Sequence, residues 1–103
     1  MKRIAFKMFL REGMKDEYIK RHNELWPELR YLLMEAGISE YHIFLGEDTH
    51  TLFAFQMVKG DSGSQDLGEQ EIVKKWWAYM KDLMETNPDN SPVSIELEKV
   101  FSL

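Results

Sequence analysis

The chain contains no cysteine, which removes thiol nucleophiles, disulfide staples, iron–sulfur clusters and zinc ribbons from the chemistry open to it. It has no excess of basic charge either. Eighteen acidic against thirteen basic residues give a net charge of −5, the wrong sign for a surface that tracks phosphates, so no nucleic-acid partner is expected. Long apolar runs are also missing. Lys7 and Arg11 break the N-terminal apolar stretch before it reaches signal-peptide length, and no uninterrupted run approaches the ~18 residues of a membrane span. The expectation is a protein of the cytoplasm with no membrane partner.

What is present reads as one globular domain spanning 1–103. A chain of this size hides only roughly 60 to 70% of its unfolded surface, so core packing and a partner subunit are the available sources of stability. Residues 3–10 alternate, with Ile4, Phe6, Met8 and Leu10 on one face, the period of a strand. From Lys15 the period lengthens. Tyr18, Ile19, His22, Leu25, Leu29, Leu32, Leu33 and Ala36 recur at three- and four-residue steps up to Gly37, a natural helix terminator.

Pro27 cannot donate to the carbonyl of Asn23 and pushes Trp26 out of the helical region, so this stretch should split into two. One helix is predicted to end near His22 and Asn23 and another to start near Pro27. The runs 41–46 and 51–58 form a hairpin around Glu47-Asp48-Thr49-His50. Residues 59–70 are a polar loop. An amphipathic helix then carries Ile72, Val73, Trp76, Trp77, Met80, Leu83 and Met84, the 87–92 segment is turn chemistry, and 94–103 reads as a last strand.

Strand, helix, strand, strand, helix, strand is the order of an α+β, ferredoxin-like split βαβ sheet with its helices on one face. The other face is then bare. The alternate residues of the strands are not reliably polar, with Phe9, Phe44, Phe53 and Phe55 as well as Tyr41 and Ile43, so both faces need cover and a second subunit is expected to provide it.

His22 stands one helical turn after Tyr18, which puts both side chains on one face where they can address a common ligand. An imidazole with an ordinary pKa near 6.5 suits acid/base work at neutral pH; a hydrogen-bonded histidine at a helix end is the plainer reading. Trp76 and Trp77 fall in a wide apolar stripe and read first as core, or as flat indole surfaces against the C–H face of a sugar. Tyr41 offers a phenol for the same purpose. His42 and His50 show no ligand spacing with His22, so no metal site is expected, and neither a phosphate loop nor a serine-hydrolase elbow occurs.

Tyr18, the stretch Arg21-His22-Asn23-Glu24-Leu25-Trp26-Pro27-Glu28-Leu29, the stretch Trp76-Trp77-Ala78-Tyr79-Met80 and the stretch Asn87-Pro88-Asp89-Asn90-Ser91-Pro92-Val93 together closely resemble the L-rhamnose mutarotase family over nearly the full length. The Gly60–Gly68 loop contributes nothing to the likeness. The resemblance implies a homodimeric α+β barrel, a sugar substrate and no cofactor. It also implies that His22 is the proton donor and that Tyr18, Tyr41, Trp76 and Trp77 contact the sugar. Two other ligand classes fit a small dimeric α+β barrel: haem or an aromatic compound in a monooxygenase-type pocket, and another deoxy sugar such as fucose.

Overall fold

The computed structural model describes residues 1–103. Strand β1 (Lys2–Phe9) leads into helix α1 (Lys15–Asn23), helix α2 (Pro27–Glu35), the hairpin β2 (Ile38–Gly46) and β3 (Thr51–Val58), helix α3 (Glu71–Met80) and the short strand β4 (Ile95–Leu97). The four strands form one sheet in the order β2-β3-β1-β4, and every neighbouring pair is antiparallel. This is the split βαβ arrangement expected from the element order.

Proline makes the break between the first two helices. Trp26 holds an extended backbone, as a residue preceding proline must, and Pro27 opens α2 where its missing N–H costs nothing. Helix α1 carries Asp16 and Glu17 in its first turn and Lys20 and Arg21 in its last, each charge on the end of the helix dipole that favours it. Gly37 follows α2 with φ +92°, and a Cβ there would lie 2.8 Å from the Lys59 Cβ. The position therefore needs glycine twice over, for its backbone and for the close passage of Lys59.

One face of the sheet, with Phe6 and Met8 of β1 and Leu52 and Ala54 of β3, meets the helices. Tyr18, Leu29, Val73, Trp76, Trp77 and Met80 come down onto it, and Leu83 and Met84 close its end. An isolated bridge between Leu10 and Met84 ties the exit of β1 to the segment after α3.

Three expectations need correction. The helix read through Leu83 and Met84 stops at Met80, after which the chain turns so that Met84 bridges Leu10. The last strand is not ten residues long: only Ile95–Leu97 pair with β1, at Lys7 through Ala5. Beyond Leu97 the apolar residues Val100, Phe101 and Leu103 stay exposed, since within this chain no strand lies beside them to turn their pattern into pairing. The 59–70 segment is not a plain polar loop either. It contains a single 3₁₀ turn, Ser64–Asp66, whose Ser64 is buried.

Candidate active site

A cleft of about 1150 Å³ opens between the helices and the inner face of β2, and Tyr18, His22, Tyr41, Trp76 and Trp77 all line it. Residues separated by up to 59 positions in sequence thus meet at one surface. They come from three elements: α1 supplies the first two, β2 the tyrosine and α3 the tryptophans.

His22 is held from both sides. Its Nδ1 lies 3.0 Å from the Tyr18 carbonyl oxygen. A carbonyl only accepts, so Nδ1 carries the proton in this contact and Nε2 is left without a protein partner. The ring sits 4.3 Å from the Tyr18 ring, tilted by 32°, and meets Trp76 edge-on at 5.6 Å. Burial pushes the His22 pKa below its ordinary 6.5, only partly offset by the hydrogen bond to the Tyr18 carbonyl. At neutral pH the ring is therefore uncharged and Nε2 presents a lone pair.

Trp76 and Trp77 are both core and wall. Each is about nine-tenths buried, yet each borders the cleft. Trp76 packs edge-on against Trp26 at 5.1 Å, and Trp26 in turn stacks on Tyr79 at 5.4 Å. Trp77 passes so close to Gly68 that a Cβ there would fall 2.8 Å from the indole ring.

Sequence reasoning missed how α1 is anchored. Arg21, 12% exposed at its side chain, gives Nε to Glu17 at 2.8 Å and its two terminal nitrogens to Asp82 at 3.0 and 3.2 Å. It also donates to the carbonyl of Tyr79 near the end of α3 and lies 4.3 Å over the Tyr79 ring. The helix bearing His22 is thereby fixed to the helix bearing Trp76. The motif around Arg21 was visible in the sequence, but its partner Asp82, 61 residues away, was not.

Tyr18 and Tyr41 both point their phenols into poorly hydrated surroundings, and burial raises the pKa of each. Both stay protonated at neutral pH. Tyr41 Oη also lies within reach of Ser64, and Ser64 and Gln65 border the cleft beside it. Neither polar residue carried a recognisable signal. The turn at 87–92 spends its polar groups internally: Asn87 Nδ2 donates to Ser91 Oγ at 3.0 Å and the Ser91 N–H to Asp89 Oδ1 at 3.0 Å. No three of the histidine, aspartate and glutamate side chains gather in a way that could hold a metal ion.

Comparison with known proteins points in one direction. The family model described as L-rhamnose mutarotase matches residues 3–103. An L-rhamnose mutarotase from Formosa agariphila is 62% identical over 101 residues, covering 98% of this chain and 97% of that protein. One from Bacteroides thetaiotaomicron is 58% identical over 103 residues, covering 100% and 99%. Among solved structures, the crystal structure of an L-rhamnose mutarotase from Formosa agariphila superposes with a TM-score of 0.91 at 56% identity, covering 100% of this chain and 99% of that one. PA3566 from Pseudomonas aeruginosa, at 13% identity and a TM-score of 0.57 over 96% and 93% of the two chains, shares the fold alone.

Proposed function

The chain belongs to the L-rhamnose mutarotase family, and from that premise we propose that it interconverts the α and β anomers of L-rhamnose with His22 as its acid/base group. The observation that carries the residue assignment is the Nδ1 contact with the Tyr18 carbonyl, which leaves Nε2 as the working nitrogen. The family match supports a sugar substrate over haem or an aromatic compound in the same cleft.

The chemistry asks for little equipment. Neutral Nε2 takes the proton of the anomeric hydroxyl as the bond between C1 and the ring oxygen breaks and C1–O1 becomes a carbonyl. The imidazolium so formed gives that proton to the ring oxygen as it leaves the same carbon, so the acceptor lies within reach. Rotation about C1–C2 exposes the other carbonyl face. The reverse sequence closes the ring, with the proton passing through Nε2 again to the new anomeric oxygen. The Tyr18 carbonyl steadies the imidazolium through Nδ1–H, as an anionic or dipolar partner does for other catalytic histidines.

Tyr18, Tyr41, Trp76 and Trp77 are the proposed sugar contacts. Indole surface suits the C–H face of a pyranose, and an apolar wall suits the methyl group that a 6-deoxy sugar carries. Such a wall rejects an added hydroxyl only weakly, so fucose-like sugars are the natural competitors.

A homodimer completes this reading. On the sheet face turned away from the helices, Phe44 is 62% exposed, Phe55 45% and Ile95 47%, and the two phenylalanine rings pack edge-on at 5.8 Å. An apolar sheet face of this kind supports burial against a second copy. Saturation-transfer NMR on the anomeric protons of L-rhamnose tests the function. Exchange should rise in proportion to added protein; no rise above the spontaneous rate would overturn it.

A further inference from the structure

Gln56 of β3 is 2% exposed and lies directly across from Tyr41 in the β2–β3 pair, so both side chains share the helix-covered face. The two ends of its amide are distinguished by a backbone group. The Ser64 N–H can only donate, and it lies 3.0 Å from one end, which must be the carbonyl oxygen Oε1. The other end is then Nε2, and it donates to Ser64 Oγ. Gln65 Nε2 reaches the same oxygen at 3.2 Å.

A hydroxyl has two lone pairs and one proton. With both lone pairs of Ser64 engaged, its proton remains to be given, and Tyr41 Oη stands at 3.5 Å to accept it. We propose that Gln56 and Ser64 are positioning residues that set the direction of the Tyr41 hydroxyl, so that Tyr41 accepts from the protein and donates its own proton into the cleft, to an oxygen of the bound sugar. The sugar's identity rests on the mutarotase reading above; the direction of the proton does not.

Tyr41 is then a donor and not the base of the reaction, in keeping with proton abstraction by His22. No buried side-chain nitrogen or oxygen goes unpartnered in this arrangement. Gly63 makes it possible. A Cβ at that position would lie 2.6 Å from Gln56 Oε1 and 2.5 Å from Ile4 Cδ1, so any larger residue would have to push the Gln56 amide aside and disturb its bonds to Ser64. The segment that added nothing to the likeness read from the sequence thus serves the cleft through a serine and the glycine before it.

Steady-state anomer exchange with L-rhamnose on Tyr41→Phe, Ser64→Ala and the double variant provides the test. Losing one donor to the sugar should raise KM roughly 2- to 10-fold in Tyr41→Phe with kcat little changed. Ser64→Ala should raise KM less, and the double variant should match Tyr41→Phe, because without a phenol oxygen there is no direction left to set. A merely structural serine would instead lower kcat and melting temperature, and its effect would add in full to that of Tyr41→Phe; that result overturns the proposal.

Neutron diffraction from deuterated wild-type crystals asks the same question without any ligand. The Tyr41 deuteron should point away from Ser64, and a deuteron on the line from Tyr41 to Ser64 would overturn the proposal. Wild-type protein that fails to speed anomer exchange would sink the mutarotase reading, while the neutron map would still decide the direction of the proton.

Discussion

On the helical wall of the cleft each working group is set by neighbours one turn away or by the adjoining helix; on the strand wall the groups are set by residues far along the chain. His22 takes its orientation from Tyr18, four residues earlier, and Arg21 locks that turn to α3. Tyr41 instead meets Ser64, 23 residues later, through a turn that must press against β3. In the proposed mechanism the first wall carries the proton and the second orients the sugar. A helix anchored at several points keeps a reactive nitrogen rigid, whereas a loop resting on a strand can change its polar residues without moving the acid/base group.

The largest separation between the walls should come from His22→Ala. Loss of the positioned acid/base group is expected to cut catalysed anomer exchange by ~10²- to 10⁴-fold while the melting temperature stays near that of the wild type. A Tyr41→Phe variant that lost as much would erase the division of labour.

Trp76→Ala should show that the helical wall is also core. The indole is about nine-tenths buried and touches His22, Trp26 and Tyr79, so denaturant melts should show a loss of ~3 to 5 kcal/mol. A variant that melts like the parent would make Trp76 a pocket residue only.

The two walls were unequally legible in the sequence for the same physical reason. Tyr18, His22 and the tryptophan pair follow helical spacing, and Pro27 marks a boundary by its own covalent structure, so both helices end and begin where local rules put them. Ser64 and Gln56 lie in a polar loop and a strand with no local pattern linking them. Only the register that sets Gln56 across from Tyr41, and the closeness that Gly63 allows, bring them together. The overlong last strand has a related origin, because the apolar residues after Leu97 signal burial without naming a partner. Covering them is work for the proposed second copy.

A smaller effect belongs to the clamp between α1 and α3. Asp82 is 62% exposed at its side chain, so Asp82→Asn should cost only about 0.2 to 1 kcal/mol in thermal melts. The Arg21 guanidinium holds the Asp82 carboxyl below the usual aspartate range. Its contribution is therefore complete above an unfolded-state value near ~3.9 and fades as the pH falls through the native one. Asp82→Asn should flatten that acid limb. A variant that left the limb unchanged would place the clamp's stability in the Glu17 and Tyr79 contacts.

The pH dependence of kcat/KM for anomer exchange, corrected for the spontaneous reaction, tests the claim that a neutral His22 presents Nε2 to the sugar. Burial depresses the His22 pKa, so the rate should be level above pH ~6.5 and fall only as the medium becomes acid enough to occupy Nε2. A rate that climbs on acidification through this range would mean that the charged ring is the active form and would contradict the account.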